Sequence, residues 1–212
     1  MDKIVCFGKN YVEHAKELGD AIPKEPVIFL KPPSVLKEAR GAPLGKLSEI
    51  TDVRLPQAQG EVHHECEIVF RLGNALKPEA VTVGLDLTLR GLQNTLKQAG
   101  HPWTIAKVFK DAAVVGPWVS VEDFPEWRET PFEMELGQKV VQRGTAREMS
   151  FQIEELIEQA RAYFPLCEGD LLFTGTPAGV GPLLPGQEAE LRFGRIRYRV
   201  RFTDSRGDIS WN

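Results

Sequence analysis

The sequence has few cysteines and no long apolar run. Its 212 residues include 3 cysteines, and Cys6, Cys66 and Cys167 lie far apart without forming a CxxC pair. An odd number of widely separated thiols argues against a disulfide framework and against a structural zinc site. No apolar stretch approaches the roughly 18 residues that a transmembrane helix requires. We therefore expect reduced cysteines and no membrane partner.

The sequence also lacks an excess of positive charge, a secretory leader and a nucleotide-binding signature. Its formal net charge is −4, which argues against a nucleic-acid partner because phosphate binding normally needs a basic surface. The amino terminus passes directly into strand-like sequence, without a charged and then apolar leader, so we expect a cytoplasmic protein. The glycine-rich stretch 175–186 has neither the GK[ST] ending of a Walker A loop nor the GxGxxG spacing of a dinucleotide fingerprint.

The composition that is present, 42% hydrophobic and 26% charged residues, is typical of a globular protein. No repeat or linker divides the chain, so we expect a single domain over residues 1–212. Short apolar runs and three- or four-residue periodicity predict its elements. The predicted strands are Ile4–Phe7, Val27–Leu30 and Leu171–Thr174. The predicted helices run from about Tyr11 to Leu18 with a stop at Gly19, around Leu89–Leu96, and from Phe151 to Tyr163 with Ser150 as its cap.

The stretch VHHECEIVFRLG, residues 62–73, carries two acidic side chains on a predicted strand. Period-two alternation places Glu65 and Glu67 on one face and Cys66 on the other. Two close carboxylates on a partly buried strand must be neutralised, and a hard divalent cation prefers such oxygen ligands. His63 lies on the same side and could serve as a ligand or support one. The alternative is a solvated polar face at a sheet edge.

Other polar side chains surround this strand in the sequence. Asp86 ends the next predicted strand just before a helix, a rigid junction that favours functional groups, and we predict it as the third metal ligand. Arg90 and Gln93 lie three apart on that helix and project together, while Lys107 falls on a further predicted strand. With the Thr176 hydroxyl in the glycine-rich loop, they could bind a substrate carboxylate or a developing oxyanion.

A histidine and a glutamate lie on one face of the first predicted helix. His14 and Glu17 are three residues apart, and a carboxylate beside an imidazole fixes its tautomer and raises its basicity. This is the arrangement that a water-activating base needs. An ordinary surface pair on an amphipathic helix is the alternative.

Arginines alternate with apolar residues near the carboxyl terminus. They are Arg192, Arg195, Arg197, Arg199 and Arg201. Although a basic stretch with aromatics could suggest nucleic acid, alternation is typical of a hairpin with one face on the core and one in water. We predict the solvated face.

A family resemblance rests on blocks that follow one another along the chain: GKNYVEHAKELG, EPVIFLKP, VHHECEIVF, GLDLTLRGLQ, PWTIAKVF and GDLLFTGTPAGVGP. In this order and spacing the chain resembles the fumarylacetoacetate hydrolase family, specifically its short acylpyruvase-like and hydroxyhepta-diene-dioate isomerase-like members. The resemblance implies a mainly β fold with a few helices (α+β), a mixed β-roll that forms a homodimer. It also implies one Mg²⁺ or Mn²⁺ ion, with Ca²⁺ as a substitute in crystals.

Residue roles follow from the same resemblance. The metal ligands of the family correspond to Glu65, Glu67 and Asp86. Its catalytic groups correspond to His14, Glu17 and Lys107, the first two being a base and its orienting acid in a segment that covers the substrate. Its substrate-binding groups correspond to Arg90, Gln93 and Thr176, with Arg90, Gln93 and Lys107 stabilising an oxyanion.

The reaction that this resemblance implies is metal-dependent hydrolysis of an acylpyruvate, such as fumarylpyruvate or acetylpyruvate, to pyruvate and a carboxylic acid. The 2-oxo acid would react through a metal-chelated enolate. The same enolate serves oxaloacetate tautomerisation or decarboxylation and the isomerisation of a 2-hydroxyhepta-2,4-diene-1,7-dioate, as in hydroxymuconate-type isomerases, and these remain alternatives. A metal-binding scaffold without turnover is an alternative of another class.

The sequence departs from the family pattern within the second predicted helix. Gly91 follows Arg90 where the family commonly has an aspartate. The change removes a carboxylate and costs about 1 kcal/mol of helix propensity relative to alanine. We also expect the chain to be without the additional amino-terminal domain of the long family members, and therefore not to share their substrate.

Overall fold

The computed structural model describes residues 1–17, 24–42, 49–56 and 59–204. Within these ranges the chain forms seventeen β-strands and three α-helices. The strands are β1 (Ile4–Gly8), β2 (Val27–Lys31), β3 (Leu36–Glu38), β4 (Gly41–Ala42), β5 (Ile50–Leu55), β6 (Val62–His64), β7 (Cys66–Leu72), β8 (Pro78–Asp86), β9 (Thr88–Leu89), β10 (Ala113–Val115), β11 (Val119–Ser120), β12 (Phe132–Leu136), β13 (Lys139–Gly144), β14 (Leu171–Phe173), β15 (Gly181–Pro182), β16 (Glu188–Phe193) and β17 (Ile196–Asp204). The helices are α1 (Val12–Glu17), α2 (Arg90–Gln98) and α3 (Ile153–Tyr163). This mainly β arrangement confirms the predicted fold class.

The strands form two large mixed sheets and a small third one. The first sheet has the order β2–β1–β14–β7–β8–β10–β3, with β11 beside β8. Its pairs β1–β14 and β10–β3 are parallel, whereas β7 is antiparallel to both neighbours. The second sheet has the order β13–β12–β16–β17–β4, with β5 parallel to β17. The third sheet is short and has the order β15–β6–β9.

The hydrophobic core lies between the two large sheets. Strands β7 and β8 of the first sheet pack against β12 and β16 of the second. The Tyr198 hydroxyl on β17 donates a hydrogen bond to the Val83 carbonyl on β8 at 3.0 Å and so joins the sheets at their centre. Phe132 and Phe193 meet edge-on in this layer, and both are completely buried. The buried apolar area holds β7 and β8 rigidly, which fixes the side chains at their ends.

Strand β7 is buried on both faces. The sequence predicts a strand that is at least half buried, and every β7 residue except Arg71 is buried. The reason is its central place, with β14 and β8 on its two edges and the second sheet across one face. The predicted continuous strand is interrupted at Glu65, since β6 ends at His64 and β7 begins at Cys66.

The helices begin and end close to the predicted positions. Leu18 and Gly19, where the sequence predicts the end of the first helix, lie outside the described residues. Helix α3 is capped by Gln152 rather than by Ser150, because the Gln152 N–H donates to Glu155 Oε2 at 2.8 Å in a capping box. None of the helices in the described ranges is both long and apolar enough to span a membrane.

The arginines of β16 and β17 lie on the outer face of the second sheet, as predicted. Along β17 the apolar side chains point to the core, while the arginines between them are exposed or half-buried. Acidic residues of the same sheet pair with them: Arg192 and Arg197 with Glu190, Arg199 with Glu188, and Arg201 with Asp52. The basic run is therefore a ladder of ion pairs on a sheet surface.

Asp170 anchors the amino terminus, and its removal should destabilise the fold. Its carboxylate accepts the N–H groups of Asp2, Lys3 and Cys167 at 2.8 to 3.0 Å. Asp170→Ala leaves these donors without an acceptor, so we expect the free energy of unfolding to fall by about 1–3 kcal/mol. Urea unfolding measured at pH 7 gives this difference.

The fall in the free energy of unfolding caused by Asp170→Ala should depend on pH. Burial alone would raise the pKa of Asp170. The three N–H donors and the Lys3 ammonium nevertheless hold this pKa below its ordinary value. A depressed carboxyl pKa contributes stability that is complete above the unfolded-state value of about 3.9 and is lost as pH falls through the folded-state value. The difference between wild type and Asp170→Ala should therefore shrink at acid pH. A constant difference would contradict this assignment.

Candidate active site

Three acidic side chains converge on one cavity. Glu65 lies between β6 and β7, Glu67 lies on β7, and Asp86 ends the neighbouring strand β8. The Asp86 N–H donates to the Glu65 carbonyl at 2.9 Å, which ties the strand interruption to the end of β8. One oxygen from each carboxylate lies within 4.8 Å of the others, and all three residues are buried. They line a cavity of about 340 Å³.

Three cationic side chains face these carboxylates. The Lys107 ammonium donates to Glu65 Oε2 and Asp86 Oδ2, both at 2.7 Å. Arg90 donates to Glu65, and the Lys31 ammonium contacts Asp86 Oδ1. These contacts compensate the buried negative charges of Glu65 and Asp86, as burial requires.

The ion pairs shift the pKa values of two members of the cluster. Burial by itself would raise the pKa of Glu65, but the adjacent Lys107 and Arg90 hold it far below its ordinary value. Burial would likewise lower the pKa of Lys107, but Asp86 and Glu65 raise it above the ordinary lysine value. Both groups are therefore charged at neutral pH.

Glu67 has a different environment. Burial, together with the charges of Asp86 and Glu65, raises its pKa well above the ordinary value. One of its oxygens accepts the Gly175 N–H at 2.7 Å. Gly175 has φ +95°, and a Cβ there would lie 2.8 Å from the Asn10 Cβ, so the turn that aims this N–H at Glu67 requires glycine.

These residues fit a divalent cation. The donor set consists of carboxylate oxygens, which Mg²⁺ and Mn²⁺ prefer. Repulsion at Glu67 is the strain that a divalent cation would relieve. Asp86 Oδ1 is buried beside the Lys31 ammonium, and a carboxylate oxygen with one such partner keeps a second lone pair for a metal. The structure thus brings together the three predicted ligands.

Helix α2 presents two predicted substrate-binding groups to the same cavity. Arg90 Nη1 donates to Gln93 Oε1 at 2.7 Å. Because the Gln93 oxygen accepts from Arg90, the NH₂ group of Gln93 is the part that can donate to a ligand. The Arg90 Nε is buried without a hydrogen-bond partner among the described residues. A bound carboxylate would satisfy such a donor.

Gly91 departs from the family pattern, and a substitution can test its effect on stability and turnover. A Cβ at this position meets no atom within 4 Å, and the residue is exposed on α2. Gly91→Ala should therefore raise the free energy of unfolding by about 1 kcal/mol through helix propensity. Thermal unfolding measures this gain. We expect the turnover of Gly91→Ala to equal that of wild type. A loss of turnover would mean that the glycine is needed for the function of the active site.

The predicted base lies at the cavity wall. His14 is 4% exposed and lines the cavity, and its Nδ1 lies 3.1 Å from Glu17 Oε2. The Glu17 carboxylate also accepts the Gly179 N–H at 3.0 Å, which connects α1 with the glycine-rich loop. Since Glu17 engages Nδ1, the opposite ring nitrogen, Nε2, is the one available for proton transfer.

Two predicted positions differ in the structure. Lys107 does not lie on a strand but directly follows a 3₁₀ turn, Thr104–Ala106, whose end it caps. His63 is not part of the carboxylate cluster, because its Nε2 pairs with Glu61 at 2.6 Å on the outer side of β6. The interruption at Glu65 breaks the alternation from which its side was predicted.

Thr176 lines the cavity, but its hydroxyl is engaged elsewhere. It donates to the Cys66 carbonyl at 2.8 Å and accepts from Gln142 Nε2 at 2.8 Å. A hydroxyl carries one hydrogen, so in this arrangement it has none left for a substrate carboxylate. The geometry indicates that Thr176 joins the loop to β7.

The sequence as a whole matches a known family. The family model for the fumarylacetoacetate (FAA) hydrolase C-terminal region matches residues 3–202. The chain belongs to the fumarylacetoacetate hydrolase family. The resemblance seen in the sequence blocks is thereby confirmed.

Two relatives within this family are oxaloacetate tautomerases. The chain is 36% identical over 204 residues to oxaloacetate tautomerase YcgM of Escherichia coli K12, a match that covers 91% of this chain and 89% of that protein. It is 39% identical over 203 residues to the mitochondrial oxaloacetate tautomerase FAHD1 of Arabidopsis thaliana, which covers 88% and 83%.

A solved structure of the family shares the fold. The crystal structure of fumarylpyruvate hydrolase from Pseudomonas aeruginosa, in complex with Mn²⁺ and pyruvate, matches with a TM-score of 0.85 and 27% identity. The match covers 95% of this chain and 89% of that one. The family therefore includes enzymes with different reactions on related 2-oxo acids.

Sequence reasoning missed several residues of this family site. Lys31 is 1% exposed and donates to the Leu87 and Ala112 carbonyls as well as facing Asp86. In the sequence, Lys31 could have been recognised as a charged residue at the end of an apolar strand. Asn10 and Gln142 had no local signal, because their partners lie more than 30 residues away.

Proposed function

We propose that this protein catalyses the keto–enol tautomerisation of oxaloacetate or of a closely related 2-oxo acid, with Mg²⁺ or Mn²⁺. One observation carries the proposal. Three buried carboxylates and a histidine–glutamate pair line one cavity, in a chain that is 36% and 39% identical to two oxaloacetate tautomerases. The comparisons favour this reaction over the acylpyruvate hydrolysis expected from the sequence.

The metal would be held by Glu65, Glu67 and Asp86. When bound, a divalent cation supplies a Lewis acid that polarises the 2-oxygen and the 1-carboxylate of a 2-oxo acid. The ion pairs of Glu65 and Asp86 support this, because with these charges compensated the two positive charges of the metal would attract an anionic substrate.

Proton transfer is assigned to His14. Tautomerisation moves a proton between the 2-oxygen and C3, so the proton lost at one atom balances the proton gained at the other and no further reactant is needed. His14 Nε2 would exchange the proton at C3, while Glu17 holds Nδ1 and stabilises the protonated ring.

Arg90, Gln93 and Lys107 are assigned to substrate orientation. Arg90 and Gln93 lie on one face of α2 and present N–H donors at the cavity wall. Lys107 donates to two of the carboxylates that would hold the metal, so its ammonium would be available to stabilise negative charge that develops on the 2-oxygen.

Acylpyruvate hydrolysis is the second candidate. The His14–Glu17 arrangement that can exchange a proton at carbon can also activate water for attack on a distal carbonyl. The structural relative named as a fumarylpyruvate hydrolase supports this reading. Decarboxylation and isomerisation would pass through a similar enolate.

One set of assays separates these reactions. Purified protein with Mn²⁺ or Mg²⁺ is mixed with oxaloacetate, and the ultraviolet absorbance of the enol follows tautomerisation. Pyruvate release from oxaloacetate, acetylpyruvate and fumarylpyruvate is measured in parallel, and each assay is repeated with a chelator. Chelator-sensitive enol conversion without pyruvate release is the expected result.

Other outcomes would change the assignment. Chelator-sensitive pyruvate release from an acylpyruvate would select hydrolysis. Release from oxaloacetate alone would select decarboxylation. Metal binding without turnover of any of these acids would favour the scaffold alternative.

A further inference from the structure

The ladder between β14 and β7 ends just before the carboxylate cluster. Strand pairing stops at Phe173, which lies opposite Val69. One further backbone hydrogen bond follows, from the Thr174 N–H to the Ile68 carbonyl at 3.2 Å, and side-chain hydrogen bonds then extend the pairing. The Thr174 hydroxyl donates to the Ile68 carbonyl at 2.8 Å, and the Thr176 hydroxyl donates to the Cys66 carbonyl at the same distance.

Gln142, on β13 of the second sheet, adds further side-chain hydrogen bonds to this region. Its Oε1 accepts the Cys66 N–H at 2.9 Å and His64 Nδ1 at 2.8 Å. Its Nε2 donates to Thr176 Oγ1 at 2.8 Å and to the Pro177 carbonyl at 3.0 Å. These bonds fix the amide orientation, because the Cys66 N–H requires an oxygen and the Pro177 carbonyl requires a donor.

The hydrogen bonds of Gln142 hold the chain on both sides of Glu65. The side chain of Gln142 binds the residues immediately before and after it, and Glu65 itself lies in the gap between β6 and β7. Gln142 is 1% exposed, and its amide uses both donor hydrogens and accepts two bonds. A buried amide satisfied in this way specifies one geometry, since any shift would leave polar groups unpaired.

We infer that Gln142 is a positioning residue that holds Glu65 in place for the metal and joins the Thr176 loop to the same frame. Gln142 does not line the cavity, so it acts through its neighbours. Polar groups behind a ligand typically contribute 10–100-fold to metal affinity. This inference rests on the metal site of the proposed function.

The test measures Mn²⁺ binding to the metal-free protein by calorimetry. Gln142→Met keeps the approximate size and removes all four hydrogen bonds, and it should weaken Mn²⁺ binding about 10–100-fold. Tyr198→Phe is the matched control, because it also removes a buried hydrogen bond between the two sheets. It should bind Mn²⁺ like wild type.

A second variant tests the acceptor bonds separately. Gln142→Glu retains an oxygen for Cys66 and His64 but loses the donors to Thr176 and Pro177. Because it retains the two acceptor bonds beside Glu65, we expect it to bind Mn²⁺ more tightly than Gln142→Met. This variant also serves if Gln142→Met fails to fold.

The outcomes are distinguishable. Wild-type affinity in Gln142→Met overturns the inference, as does an equal loss in Tyr198→Phe, which would indicate general destabilisation. A Gln142→Glu variant as weak as Gln142→Met overturns the role of the acceptor bonds. Wild type that binds no Mn²⁺ overturns the metal site itself.

Discussion

The Glu67→Gln variant is expected to lose metal binding and turnover while its metal-free form stays at least as stable as wild type. Glutamine keeps an oxygen for the Gly175 N–H, but it removes the negative charge that burial, Asp86 and Glu65 disfavour. A neutral amide oxygen is also a weaker ligand for a hard cation than a carboxylate oxygen. Mn²⁺ affinity should fall by more than about 100-fold, beyond the usual effect of groups behind a ligand.

The stability of this variant should also depend on pH with a definite sign. A carboxyl whose folded-state pKa is raised contributes stability that is complete below the unfolded-state value of about 4.3 and is lost as pH rises through the folded-state value. Metal-free wild type should therefore lose stability relative to Glu67→Gln as pH rises above about 4. Urea unfolding with a chelator measures this.

Glu79→Gln is the control for both measurements. It makes the same chemical change on β8, at a largely exposed glutamate away from the cavity. It should bind Mn²⁺ like wild type and show no added pH dependence. If Glu67→Gln retained the metal-induced rise in melting temperature, Glu67 would not be a ligand.

The His14→Ala variant is expected to separate proton transfer from metal binding. His14 lines the cavity but is not part of the carboxylate cluster, so Mn²⁺ affinity should be unchanged. Loss of a positioned acid–base group typically lowers turnover about 10²- to 10⁴-fold. The enol assay with oxaloacetate and calorimetry with Mn²⁺ give the two quantities.

His101→Ala is a suitable control, because this histidine is exposed in the turn after α2. Turnover of His14→Ala equal to that of the control would remove His14 from the reaction. Loss of Mn²⁺ affinity would instead place it at the metal. A variant that keeps tautomerisation but loses acylpyruvate hydrolysis would show that the histidine activates water.

Local patterns predicted the elements more reliably than the site contacts. Strands β1, β2 and β14 and helices α2 and α3 follow from short apolar runs and helical periodicity, whose causes lie within a few residues. The cap of α3 was predicted at Ser150, whereas the structure has Gln152 there, because a capping box competes with a simple serine cap. Lys107 was placed on a strand although the chain makes a 3₁₀ turn before it.

The sequence by itself determined the mainly β class, the family and the identity of most acidic and basic side chains at the cavity. These depend on residue type, order and short-range periodicity, which are present in the chain before it folds. His63 marks the limit of this reasoning, since the interruption at Glu65 cancels the alternation from which its side was predicted.

Only the tertiary structure decided how the cavity is assembled. Lys31 meets Asp86 across 55 residues of sequence, and Gln142 meets His64 across 78. Such pairs leave no local signal, because their positions are set by sheet order and by the packing of the second sheet on the first. The physical reason is that buried polar groups must find partners wherever the fold provides them, whatever the distance along the chain.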